Sequence, residues 1–357
     1  MYYKDNWDNS KKRLEAFWKG EIVDRCCFSV VSHRKGSRFI PEAIPQSPED
    51  KLRYWTDGEW ILKRHLDYFE NSYFGGEATP QIFINLGAGG HAGFFKNMKY
   101  QFEETVWFFP GVNDWDKDEL EFDPESFLYK KTIELAKYYT AESKGRYFVS
   151  MPDTSGNADA LAHLRGSENL LVDLVTDEER VQEALGKIQE VWLDINQQVY
   201  DIVKENNEGG SAITWLDTWA PGRHAQMQCD LSVMISPYMF EKFIMPELRA
   251  QSEWMDNCLY HLDGMEQVRH LDMLLSLERL KVIQWTCVVG QPSPLEFIPI
   301  LKKIQAAGKG VLIRVNPDEV EPLMEQLSSK GLYLVLRVSS EDEAKEIEKK
   351  IIKLTHE

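Results

Sequence analysis

Short apolar runs alternate with amphipathic stretches along the chain, and the junctions carry helix-start chemistry. The rhythm is clearest near the C-terminus. Val282–Thr286 is apolar, and Ser293-Pro294-Leu295-Glu296 then supplies an N-cap serine, a proline at the first helical position and a glutamate at N3. Val311–Val315 is the next run, followed by Asn316-Pro317-Asp318-Glu319, and Leu332–Val338 precedes the capping box Ser340-Glu341-Asp342-Glu343. The cap oxygen takes an orphan amide, and proline gives up a donor that has no acceptor there. In the last helix Ala344, Ile347, Ile351 and Leu354 share one stripe.

Upstream the same pattern predicts strands at Cys26–Val31, Gln81–Leu86, Tyr147–Met151, Ala212–Leu216 and Cys258–Leu262, which makes eight with the three above. Helices are expected to start at Ser47-Pro48, Asp123-Pro124, Thr176-Asp177 and Ser236-Pro237. One of them runs from about Asp177 to Asn206, with Val181, Leu185, Ile188, Val191, Trp192, Ile195, Val199 and Ile202 on one face. Parallel neighbours need crossovers, so strand–helix alternation implies a parallel sheet. Eight units predict a single-domain (β/α)₈ TIM barrel over residues 1–357, with an N-terminal helical extension and a hairpin near residues 98–110. An open doubly wound sheet is the alternative.

Composition narrows the partners. The chain has 357 residues, 43% of them hydrophobic, enough for one large core. A net charge of −17 disfavours nucleic acid, whose phosphates need a basic surface. No apolar run approaches the ~20 residues of a membrane helix, and Met1–Phe17 has no apolar core of a secretory signal. Five cysteines without a CxxC pair read as reduced thiols, which together with these absences predicts a cytoplasmic protein.

Barrel enzymes place reacting groups at strand C-termini and in the loops beyond. Those positions hold Ser32, His33, Asn85, Asp153, Asp217, His261, Asp263, Gln284, Trp285, Arg314, Asn316 and Ser339. His261 and Asp263, two apart, share one face of a strand, as does Leu259, and can bind a metal or act as an oriented base. Asp263-Gly264 read alone is a turn into the following helix. The loop Trp219-Ala220-Pro221-Gly222-Arg223-His224 through Gln228-Cys229-Asp230 mixes groups suited to a pocket, although a lone cysteine such as Cys229 is often only a small buried hydrophobe. Gly87-Ala88-Gly89-Gly90-His91-Ala92-Gly93 lacks the GxGxxG spacing and reads as a close-approach loop that brings His91 to substrate, or as a plain rim.

Thr154-Ser155-Gly156, Leu164 to Leu174, Ile235 to Phe240, Met245 to Leu248 and Tyr260-His261-Leu262-Asp263-Gly264 resemble the uroporphyrinogen decarboxylase superfamily, over most of the chain and most specifically from about residue 150. The resemblance implies a (β/α)₈ barrel and either porphyrinogen decarboxylation or cobalamin-dependent methyl transfer. The methyltransferases hold zinc through His-x-Cys and a later Cys. Here Asp263 stands in place of the first Cys, and Ser339 and Ser340 stand near the second. Zinc accepts N, O and S donors, so a modified site of His261, Asp263 and Cys229 is compatible with the fold. Against the decarboxylases, Arg25, Arg34 and Arg38 match their arginine cluster poorly.

The reading is therefore a methyltransferase-type enzyme with Asp217, His261 and Asp263 as catalytic groups. Asn85, His91, Asp153, Trp219, Arg223, Gln284 and Trp285 are expected to line a small-molecule substrate. Zinc is the candidate metal, and cobalamin carried by a corrinoid protein is the candidate methyl carrier; a homodimer stays open. A metal-free decarboxylase or lyase acting on a small acidic substrate, with Arg223 or Arg34 holding its carboxylate, is the second reading. A non-catalytic barrel that binds a ligand or a corrinoid protein is the third.

Overall fold

The computed structural model describes residues 1–287 and 290–356. Its strands come in chain order. β1 (Cys27–His33), β2 (Ser72–Gly76) and β3 (Gln81–Ile82) are followed by the hairpin of β4 (Lys99–Phe102) and β5 (Val106–Phe109). Next are β6 (Phe148–Val149), β7 (Gly210–Ile213), β8 (Thr218–Pro221) and β9 (Gln226–Met227). The longer β10 (Cys258–Asp263), β11 (Leu280–Thr286), β12 (Gly310–Arg314) and β13 (Leu332–Arg337) complete the set. All eight strands expected from the apolar runs are present within a few residues, and so is the hairpin.

Seven strands form one sheet in the order β2-β1-β13-β12-β11-β10-β9, parallel throughout except for β2 on β1. β3 pairs with β6 in parallel, a parallel bridge from Ser150 to Ala212 extends this group to β7, and β8 returns antiparallel on β7. The architecture is thus a mixed α/β fold around a mostly parallel central sheet. Among the described residues no strand pair joins β2 to β3 or β8 to β9, so the ladder is not the closed ring of eight that the sequence predicts. The reason is local. Antiparallel β2 takes the free edge of β1, and β8 takes the free edge of β7. Pro80, just before β3, has no N–H for the ladder, and only its carbonyl is used, by the Phe148 N–H at 3.0 Å.

The cap chemistry forms at Ser47, Ser236, Ser293 and Ser340, whose hydroxyls accept N–H groups of the first turn. It does not form at Thr176-Asp177, where the helix Glu178–Val203 begins without a side-chain cap, nor at Asp123-Pro124, where Ser126 caps the helix Phe127–Ser143 instead.

Inward-facing Cys27, Phe148, Leu259, Val282, Leu312, Tyr333 and Val335 fill the centre of the sheet with apolar volume. The helix Trp7–Trp18 covers the strand N-termini with Trp7, Leu14, Phe17 and Trp18, and the Trp18 indole donates to the Trp219 carbonyl at 2.9 Å. Arg25, just before β1, is spent on structure: its guanidinium forks onto buried Glu77 at 2.7 and 2.7 Å, and the Glu77 carboxylate also accepts the Phe28 N–H at 2.9 Å. No helix among the described residues is long and apolar enough to cross a membrane.

Candidate metal centre

The pleat of β10 sends Leu259, His261 and Asp263 to one side, with Leu259 in the central apolar cluster below the other two. The parallel register sets Gln284 beside His261 and Thr286 beside Asp263. The Gln284 amide donates to the Trp285 carbonyl at 3.0 Å and to the Thr286 hydroxyl at 2.7 Å, which turns its own oxygen onto His261 Nδ1. A carbonyl oxygen only accepts, so this network assigns the proton to Nδ1 and leaves the lone pair of the neutral ring on Nε2. The edge of Trp215 packs against the ring, with centroids 5.0 Å apart.

Asp230 joins this pair from the segment after β9. Its own N–H and that of Leu231 are accepted by the Asp159 carboxylate at 3.0 and 2.8 Å, which pins the turn. One ligand atom from each of Asp230, His261 and Asp263 lies within 4.8 Å of the other two. Burial raises Asp153 to about 7, with Asp230 adding to the effect. Asp159 is likewise raised by burial and then by Asp230, and Glu247 is pushed well up by burial and then by Asp159. Asp230 itself is raised by desolvation, with His261 pulling down and Asp263 pushing up. Burial first and neighbouring carboxylates second favour protonation of these acids, a divalent cation would offset both, and the N/O donor set suits one. The residues present fit a metal.

Cys229 is not among them. Its side chain is fully buried in the apolar core, and burial pushes the thiol well above its usual range. Backbone alternation explains this: Met227 and Cys229 face the core behind the sheet, whereas Gln226 reaches Asp153 and Gln228 reaches Asp230. The side chain that meets His261 and Asp263 is one residue later, on Asp230. The same parity turns Trp285 away from Gln284 and into the core, where its N–H meets Cys287 Sγ and its ring packs on Phe297.

Other expected site residues also fall elsewhere. Trp219 is buried near the strand N-termini against Trp7 and Phe148, and its N–H is held by the Asn207 carbonyl. Arg223 pairs with Asp256, ahead of β10, at the same far end. His91 is fully buried in the 3₁₀ turn Gly90–Phe94, neither ring nitrogen has a partner, and burial lowers it to about 3, so it does not reach a substrate surface.

Asp217 does lie at the strand C-termini, but its carboxylate is taken by Arg337 at 2.6 and 2.7 Å. Its carbonyl accepts the Tyr333 hydroxyl at 2.7 Å, and Arg314 donates to the Trp215 carbonyl. Asp217 therefore fixes the turn Thr214–Asp217 over the strand ends and has no free carboxylate for acid–base work. Asp153 accepts from Gln226 at 2.9 Å and feels the charge of Asp230. Asn85 lies apart, in an aromatic recess. A polar depression of about 730 Å³ adjoins the turn, lined by Arg314, Asn316, Glu319 and Arg337 among others.

No family model matches the sequence, and a search of curated proteins finds no match. Among solved structures, a methyltransferase from Methanosarcina mazei superposes with a TM-score of 0.62 at 12% identity, over 96% of this chain and 98% of that one. The chain shares that fold. A B12-independent methionine synthase from Shewanella sp. W3-18-1, solved in complex with selenomethionine, aligns with a TM-score of 0.48 at 8% identity, over 87% of this chain and 88% of that one.

Gln284 gives a local test. Gln284→Leu removes the acceptor that fixes the His261 tautomer, and any divalent-metal affinity of the group is expected to fall about 10- to 100-fold, the usual cost of losing a partner of a metal-binding histidine. Competition titration against a chromophoric chelator measures this, and an unchanged affinity would refute the role given to Gln284.

Proposed function

We propose that the chain is a methyltransferase-type enzyme of the uroporphyrinogen decarboxylase superfamily whose centre is a divalent metal held by Asp230, His261 and Asp263. The observation that carries this is the convergence of those three ligand groups at the strand C-termini. The fold shared with a methyltransferase adds support. Zinc is the ion of choice, because it accepts one imidazole and two carboxylates and needs only three protein ligands in a catalytic site. Held there, such an ion would supply Lewis acidity and lower the pKa of a bound acceptor.

The chain's own residues do the rest. Gln284 holds the His261 ring, Asp159 holds the turn bearing Asp230, and Trp215 shields one side of the imidazole. The Arg314 and Arg337 contacts keep the Thr214–Asp217 turn in place beside the polar depression. The methyl donor in this reading is cobalamin carried by a corrinoid protein, the chain acts in the cytoplasm, and a homodimer is compatible with it.

The test uses methylcobalamin as donor and a panel of small thiols as acceptors, with loss of the methylcobalamin absorbance as the readout. Turnover is expected with about one zinc per chain, is lost on dialysis against a chelator and returns with added zinc. Decarboxylation of a small organic acid at full rate after chelation would instead establish the metal-free reading and overturn this one.

A further inference from the structure

The face of the sheet that carries the metal group continues onto a cation. Leu312 of β12 joins the central apolar cluster with Leu259, Val282 and Tyr333, so Arg314, two residues on, shares their face. The register sets Asp263 beside Thr286, and it pairs Trp285 with Ile313, which brings Thr286 level with Arg314. Adjacent strands lie about 4.8 Å apart, so the backbones at Asp263 and Arg314 are separated by about 10 Å, with Thr286 between them. Asp263 and Thr286 are half-buried and Arg314 is exposed, so a ligand can touch all three.

Arg314 donates to the Trp215 carbonyl and forms no ion pair among the described residues. The Trp215 ring packs on His261, so this anchor holds the guanidinium on the side of the metal group. The acids nearby are engaged elsewhere. Asp217 takes Arg337, and Glu319, 7% exposed, turns its oxygens onto the Ser293 hydroxyl and the Asn316 N–H. Thr286 adds a second donor. Its hydroxyl accepts the Gln284 N–H at 2.7 Å, and its own proton meets no acceptor among the described residues. A guanidinium and a hydroxyl proton on neighbouring strands match a carboxylate, with charge-assisted bonds supplying the strength. Asp263 repels such a group, and a divalent cation in the metal centre would offset that repulsion.

We infer that Arg314 and Thr286 hold the carboxylate of the acceptor, whose other end reaches the metal group. The acceptor is a short acid with its nucleophilic atom and its carboxylate at opposite ends. This rests on the proposed metal centre and adds a substrate class to it.

The experiment is isothermal titration of the zinc-loaded full chain with 3-mercaptopropionate and with 3-mercaptopropan-1-ol, which keeps the thiol and lacks the charge. The acid is expected to bind about tenfold tighter or more, the usual worth of a charge-assisted hydrogen bond. Arg314→Gln keeps a donor for the Trp215 carbonyl and should erase the preference, with affinity for the alcohol within about twofold of wild type. Thr286→Val should cut the preference about fivefold, the alcohol reporting any change at the metal itself. Circular dichroism reads folding, and the threonine variant carries the test if the Arg314 variant does not fold. Arg180→Leu removes an equal charge on the helix Glu178–Val203 and should leave the preference intact. A wild type that takes up zinc and binds the two thiols alike, or a preference that survives both site variants, overturns this inference alone. A wild type that takes up no zinc overturns the metal centre and this inference with it.

Discussion

His261→Ala is expected to reduce the divalent metal in the purified protein from about one per chain to near zero, and to abolish methyl transfer with it. His261 supplies the only nitrogen donor of the group, and its ring is pre-aimed by Gln284. Removing it leaves two carboxylates, a weaker and less selective pair for zinc. Even outer partners of metal ligands cost about 10- to 100-fold in affinity, so loss of the ligand itself should exceed about 100-fold in a zinc titration. Cys229→Ala is the contrast. Its side chain faces the core, so metal content should stay within about twofold of wild type. A His261→Ala protein that keeps its metal, or a Cys229→Ala protein that loses it, would exchange the roles assigned to these residues.

Glu77→Ala is expected to destabilise the fold by about 3–5 kcal/mol without touching the metal. Glu77 is 1% exposed and takes both arms of Arg25 as well as the Phe28 N–H, with Arg13 Nη1 a further 3.6 Å away. Truncating the acid strands a buried guanidinium and orphans an amide of β1, which is why breaking such a pair costs more than the pair contributes net. Urea unfolding at neutral pH reads the loss directly. Zinc affinity of the folded variant should match wild type, because Glu77 lies beside the start of β1, away from the strand C-termini. A loss below about 1 kcal/mol would mean that water reaches Arg25 when Glu77 is gone.

The strands and most caps were legible because apolar runs and serine caps are local signals. The breaks in the ring were not. Ser72–Gly76 and Thr218–Pro221 pair antiparallel with neighbours fixed only by tertiary structure, and Gly-rich or Pro-ending segments look like loops. Within the site, His261 and Asp263 followed from strand parity. Parity also places Asp230, but preference for the thiol as a zinc ligand selected Cys229, one residue off and on the wrong face. Trp285 is the same error on β11. Asp159 had no signal in the sequence: it acts by accepting two amides about 70 positions away, a contact that only the packed fold creates. Asp217 was correctly placed at the strand ends, but its engagement by Arg337 of β13 depends on register across the sheet.

Anomalous diffraction at the zinc absorption edge, from crystals of the protein as purified, bears most directly on the whole account. It should show one peak at about 2.0–2.2 Å from a carboxylate oxygen of Asp230, His261 Nε2 and a carboxylate oxygen of Asp263. Zinc-replete crystals with no peak between those three side chains, or with the ion bound elsewhere, would contradict it.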